Sequence, residues 1–274
     1  MLFVDSDDEL APTALAQLSN TINASSKQVD AIAFNWRAIS DALEVQARSG
    51  RFDFEYLTDP TSILENFLKH RMDGSVIYTA IRREFLAKND IRFRSGLRED
   101  VDFIFKVYFH ARNVAVADAE LYLKRDVRTS IINRVSVEHI EGYLNAWAEI
   151  QSFVRHQSNM DTRTKYLTWF DEGLIQAFAS QITETIKRAE SDAALIALLS
   201  RINKHLREHE YRRGFLKLIV NTAGLEARVL ETFMAGASRR DERDVDYLAI
   251  AREIRAMVGF EPLKTQGPLA AAAS

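Results

Sequence analysis

Two hydrophobic patterns divide the chain near residue 135. Before it, short apolar runs alternate with helix-like pieces: DAIAFNW (30–36), SVIYTAI (75–81) and NVAVADAELY (113–122) read as strands, and IRREFLAKND (81–90) as a short helix. Val101, Ile104, Phe105 and Tyr108 share one helical face, so a helix opens at Arg98-Glu99-Asp100. After residue 135, Phe170, Leu174, Phe178, Ile182 and Ile186, and then Leu195, Leu199, Ile202 and Leu206, recur at helical spacing. Ser136 stands where an N-cap is needed for VEHIEGYLNAWAEIQSFV, and no proline falls between Pro60 and Pro262 to break a long helix. The pattern predicts an α/β part followed by an all-α helical bundle, with 135–262 helical and 263–274 a flexible tail. No internal repeat is present.

The first residues raise their own question. Leu2, Phe3 and Val4 run without a turn signal into Asp5, Ser6, Asp7 and Asp8. This is the pattern of a buried strand that delivers carboxylates to the edge of a parallel sheet. Pro12 then helps to start a helix over PTALAQLSNTI.

Composition narrows the function classes. The 274 residues are 47% apolar, enough for one large or two ordinary cores. With 36 Lys and Arg against 39 Asp and Glu, the net charge of -3 gives no global basic field, so nucleic acid is not an expected partner. The absence of cysteine excludes disulfides, thiolate metal sites and cysteine nucleophiles, and it suits the reducing cytoplasm. No N-terminal basic segment precedes an apolar run, and no stretch of about 18 uncharged apolar residues occurs, so neither a signal peptide nor a membrane span is predicted.

Three stretches could carry chemistry. Asp5 and Asp7, at i and i+2 just past a strand end, can converge on a hard divalent ion such as Mn²⁺ or Mg²⁺ that completes its shell with phosphate oxygens and water. They can equally be turn and N-cap residues. Asp100, at a helix N-terminus, is either a cap or a carboxylate general base reaching a hydroxyl proton. In LYLKRDVRTSII (121–132) a strand ends in Arg125, Arg128 and Ser130, which suit a diphosphate or simply form a solvated loop. His205 and His209 lie one helical turn apart and could ligate a metal, but no third ligand is placed, so a solvated face is the expectation. RINKHLREHEYRRGFLKLIV alternates bases with apolar residues, as a helix on an acidic membrane surface would, although Glu208 and Glu210 dilute the charge.

In order and interval these stretches resemble family 2 glycosyltransferases, the inverting enzymes of GT-A fold that move sugars from nucleotide diphosphates. LFVDSDDEL resembles the family's metal-binding D-x-D segment. SVIYTAIRREFLAKNDIRFRSGLREDVDF resembles its next landmark, a strand and short helix followed by an acidic pair opening a helix. KVYFHARNVAVADAELYLKRDVRTSII is similar to the closing segment, in which Leu-Tyr is followed by an arginine and, five residues on, a serine. The resemblance covers residues 1–134 as a partial GT-A domain. It implies that Asp5 and Asp7 hold the metal, that Asp100 takes the acceptor proton, and that Arg125 and Ser130 lie near the donor diphosphate. One departure is Val127, where many relatives have a second arginine, and Arg128 is not carried over.

The implied partners are a nucleotide-sugar donor and a saccharide or lipid-linked acceptor, with peripheral membrane contact suited to the latter. In the family, alternating strands and helices that bind the nucleotide precede the D-x-D strand, and the chain starts after them. It is therefore expected to be inactive by itself, with an exposed sheet edge that favours self-association. Two other readings are open. A phosphoryl transferase of the haloacid-dehalogenase type also ends a strand in D-x-D, but a small hydroxyl residue and glycine normally follow, where this chain has Asp8 and Glu9. A non-catalytic helical interaction protein carrying a glycosyltransferase remnant would lack metal-dependent nucleotide binding.

Overall fold

The computed structural model describes residues 1–39, 45–50, 59–72, 75–125, 136–157, 159–208, 224–238 and 244–259. The chain forms two compact units, Met1–Ala177 and Phe178–Ser274. The division falls inside a helix, well beyond the change of pattern near residue 135.

In the first unit the elements run β1 (Glu9–Leu10), α1 (Ala14–Ala24), β2 (Ala31–Ile39), β3 (Val45–Gly50), α2 (Pro60–Leu68), a 3₁₀ turn (Val76–Tyr78), β4 (Thr79–Ile81), α3 (Arg83–Lys88), α4 (Glu99–His110), β5 (Val114–Arg125) and α5 (Val137–Arg155). The first part of α6 (Met160–Arg188) completes it. The sheet order is β1-β5-β2-β3, with β4 also paired to β2. β2 is the central strand, and its run AIAFNW is buried from Ala31 to Asn35, as expected of a strand covered on both faces. The sheet is mixed: only β2 and β5 run parallel, while β1, β3 and β4 pair antiparallel. The expected all-parallel edge is thus corrected. Helix α4 precedes β5 and supplies a crossover, whereas a parallel pair cannot be made by a short return.

The opening segment is a second correction. Leu2 to Val4 form no strand, and Val4 is 44% exposed. The segment touches the sheet through Met1, whose backbone exchanges hydrogen bonds with Ile81 in β4: Ile81 N–H donates to Met1 O at 2.8 Å, and the Met1 amino group donates to Ile81 O. Pairing at one residue does not make a strand, and side chains on an unenclosed run stay half in solvent. A smaller difference lies in SVIYTAI, where Val76–Tyr78 close a 3₁₀ turn before the three-residue β4. All three turn residues are buried, so hydrophobicity alone does not separate turn from strand here.

Helix α1 lies against β5, and α2 and α5 pack on α4. Ser136 caps α5 as predicted, its hydroxyl oxygen accepting from His139 N–H. The second unit contains the end of α6, α7 (Asp192–Glu208), α8 (Leu225–Gly236) and α9 (Tyr247–Val258). Both predicted helical stripes, from Phe170 to Ile186 and from Leu195 to Leu206, are buried. His205 is 4% exposed and lies beside the Phe178 ring, so it belongs to the core rather than to a solvated face. His209, the basic stretch beyond it and the tail lie outside the described residues. No described helix is long and apolar enough to cross a membrane.

Asp171 on α6 gives the first unit a pH dependence. Burial pushes its carboxyl up to about 6, against the opposing effect of Arg155. Below the usual carboxylate range both folded and unfolded chains hold the proton. As pH rises toward 6 the unfolded chain releases it first, so stability falls through that window and stays lower above it. Asp171→Asn should therefore stabilise the protein at pH 7.5 by about 1–2 kcal/mol and change nothing at pH 3.5. Urea denaturation at the two pH values checks this, and equal effects at both would contradict it.

Candidate active site

The site is built where β1 and β5 meet the turn that precedes them. Asp5 and Asp8 close that turn, with Asp8 N–H donating to Asp5 O at 3.1 Å. Glu9 and Leu10 then pair with Leu123 and Tyr122 of β5, which brings the acidic turn to the C-terminal end of the long strand. Tyr122 fastens it there. Its hydroxyl accepts from Asp5 N–H at 3.1 Å and donates to Asp8 Oδ2 at 2.7 Å. Burial and the neighbouring carboxylates push the Tyr122 phenol well above its ordinary range, so it remains a protonated donor. Asp8 Oδ1 takes the Arg125 N–H at 2.7 Å. Asp8 is therefore the structural acid of the group.

The Arg125 guanidinium reaches back over the same turn. Its Nε donates to Asp7 O at 2.9 Å, and a terminal nitrogen lies 2.7 Å from Glu9 Oε1. The structure thus brings Arg125 to the acidic turn. Ser130 and Arg128 lie outside the described residues.

Asp100 comes from the other side, in the first turn of α4. It does not cap the helix: the N-cap position is Arg98, with no side-chain cap bond. Instead the Asp100 carboxylate accepts from the Ser75 hydroxyl at 2.9 Å. Ser75 precedes the 3₁₀ turn, so two buried elements fix the orientation of this half-exposed acid.

The two acidic groups share one electrostatic neighbourhood. The Asp5 carboxyl is raised above the usual range, first by partial burial and then by the charges of Asp8, Asp7 and Asp100, with Lys124 opposing. Ionised Asp5 therefore costs the fold stability, and a cation placed there would offset that cost. Lys124 is held on the wall beside it, Nζ 3.4 Å from the Tyr78 hydroxyl and 5.7 Å from the centre of the Trp36 ring, which stacks on Tyr78.

The fit to a divalent ion follows from this donor set. Among the described residues, no group of three or more His, Asp or Glu side chains stands ready to hold an ion alone. Two all-oxygen carboxylates in a crowded acidic corner suit a hard ion that draws its remaining ligands from a diphosphate and water. Periodicity did not point to Ser75, Asp8 or Lys124. Tyr122 was present as the Leu-Tyr preceding Arg125, but its hydrogen-bonding role depends on strand register.

This mixed sheet with its helical region has a glycosyltransferase-like fold. Among solved structures, S. aureus TarS residues 1–349 in complex with UDP-GlcNAc superposes with a TM-score of 0.58 at 17% identity, covering 94% of this chain and 68% of that one. A second structure of TarS 1–349 gives 0.56 at 17% identity over 93% of this chain and 66% of that one. A structure of TarS itself gives 0.55 at 16% identity over 93% and 39%. No protein-family model matches the chain, and no curated protein matches it by sequence.

Proposed function

We propose that the protein is an inverting, metal-dependent glycosyltransferase that moves a sugar from a nucleoside diphosphate to a hydroxyl of a saccharide or lipid-linked acceptor. The observation that carries this reading is the acidic turn of Asp5 to Asp8, fastened to the end of β5 by Tyr122 and Arg125, with the Asp100 charge acting on the Asp5 carboxyl, in a fold shared with a protein bound to UDP-GlcNAc. The family 2 resemblance of the three motifs supports the same assignment of roles.

In this reading Asp5 and Asp7 hold Mn²⁺ or Mg²⁺, which when bound neutralises charge on the donor diphosphate. Asp100, oriented by Ser75, accepts the proton of the acceptor hydroxyl as its oxygen bonds to the anomeric carbon. The bond from that carbon to the diphosphate oxygen breaks on the opposite face, which inverts the centre, and the electron pair leaves with the diphosphate. Arg125 holds the acidic turn in place through Asp7 O and Glu9, and on the resemblance its positive charge is assigned to the donor diphosphate. Ser130 is assigned to the diphosphate on the resemblance.

Donor binding on this reading needs a surface for the base and ribose, and turnover of nucleotide sugars by the full gene product tests it. Nucleoside diphosphate release from a panel of nucleotide sugars, with and without EDTA, is the measurement. Release from at least one donor, abolished by EDTA and restored by Mn²⁺ or Mg²⁺, is expected. No release and no nucleotide binding across the panel would favour the non-catalytic interaction protein.

A further inference from the structure

The loop IRFRSGLRED, which leads into Asp100, contains a backbone conformation that needs an explanation. Arg98 has φ 58° and ψ 31°, in the left-handed region, immediately before α4 begins at Glu99. A residue with a side chain pays on the order of 1 kcal/mol or more for that conformation, so something around it must hold it.

Arg94 supplies the hold. Its terminal Nη2 lies 2.8 Å from both Leu97 O and Arg98 O and 2.9 Å from Gly142 O, and Nη1 lies 3.3 Å from Ser95 O. Its Nε donates to Asp102 Oδ1 at 2.8 Å. Asp102 is 1% exposed and its other oxygen is paired with Lys106 at 3.0 Å, so a buried charge in the first turns of α4 depends on these two cations. One guanidinium therefore ties the loop carbonyls, helix α4 and helix α5 together. The close approach of α5 is built in at Gly142, where an added Cβ would lie 2.4 Å from Leu97 O.

The other side of the loop is fixed to the segment carrying Asp5. Phe93 stacks on Phe103 at 3.9 Å, and Phe3 meets both rings edge-on at 5.3 and 5.9 Å. The loop is thus held to the acidic turn by rings and to the helices by Arg94.

We infer that Arg94 is a positioning residue for Asp100, acting by holding Arg98 in the left-handed conformation that sets the first turn of α4. This rests on the transferase reading, in which Asp100 is the base. Lysine cannot replace Arg94, because a single ammonium does not span Asp102 and the loop carbonyls together. Glycine at 98, which adopts the left-handed region freely, removes much of the need for the hold.

The test uses Arg94→Met, Arg94→Lys and the double variant Arg94→Met, Arg98→Gly in the full gene product, with Arg94→Gln should the methionine variant fail to fold. Turnover of the nucleotide sugar, donor affinity and hydrogen exchange over residues 97–101 are measured. Arg94→Met and Arg94→Lys should lower kcat by roughly 10- to 100-fold with donor affinity within about twofold, since only orientation of the base is lost. Exchange over 97–101 should quicken, and glycine at 98 should restore both protection and a large part of kcat. Turnover within twofold of wild type, a loss shared equally by donor affinity, or failure of glycine to rescue would overturn the inference. Unchanged protection at 97–101 in Arg94→Met would overturn it even without an activity measurement. Asp100→Asn is measured alongside: if that variant turns over normally the base reading fails, whereas a crippled Asp100→Asn beside a normal Arg94→Met removes only the positioning role.

Discussion

Replacing Asp100 with asparagine should lower turnover by roughly a hundredfold or more while leaving donor affinity almost unchanged. The amide has the shape of the carboxylate and can still accept from the Ser75 hydroxyl, so the side chain keeps its place. What it loses is the capacity to take a proton as the acceptor oxygen attacks, and that loss is felt only in the chemical step. Steady-state kinetics with separate donor-binding titrations check the split. A loss confined to folding stability, with normal turnover of the folded fraction, would make Asp100 a structural residue.

The second large effect lies in packing. At Gly173, in the part of α6 belonging to the first unit, an added Cβ would sit 1.8 Å from Leu68 O, 2.7 Å from Leu68 C and 2.9 Å from Lys69 Cα. All three atoms are backbone at the C-terminal end of α2, so no side chain can turn aside and one helix must move. The same junction carries Lys69 between Glu65 at 2.8 Å and Glu172 at 3.2 Å, a partly exposed arrangement that adds little to hold the helices if they separate. Gly173→Ala should cost about 2–4 kcal/mol, lowering the melting midpoint by roughly 5–15 °C. A midpoint within 1 °C of wild type would show that α2 and α6 are not packed as closely as described.

Much of this architecture is legible in the residue pattern, for identifiable reasons. The stripe from Val101 to Tyr108 places Asp100 at a helix start because helical period and N-terminal acids agree there. Ser136 and the long stripes of the helical half are equally local signals. Strand direction is not local: nothing in NVAVADAELY says that it runs parallel to β2 and antiparallel to β1, since pairing depends on where intervening helices return the chain. The Leu2–Val4 run has the composition of a buried strand but not the neighbours to make one.

The candidate site follows the same division. Asp5, Asp7, Asp100, Arg125 and Ser130 stand out by residue type and interval. The carboxylates of the turn and Asp100 share one region of the structure, while Ser130 lies beyond the described residues. Their supports were not legible. Ser75 is 25 residues from Asp100 and Tyr122 is 114 from Asp8, so only the fold pairs them. Arg94 looks like any loop arginine until its guanidinium is seen against four carbonyls, a buried acid and a left-handed residue.

The central claim is that Asp5 and Asp7 form an ion site completed by the donor diphosphate. It is tested most directly by titrating a panel of nucleoside diphosphates into the full gene product with and without Mn²⁺, for wild type and for the Asp5→Ala, Asp7→Ala double variant. Wild type should bind at least one of them tighter by roughly tenfold or more when Mn²⁺ is present, because the ion takes ligands from both protein and diphosphate, and the double variant should lose that increment. An equal Mn²⁺ increment in the double variant, or wild-type affinity indifferent to the ion across the panel, would contradict the account.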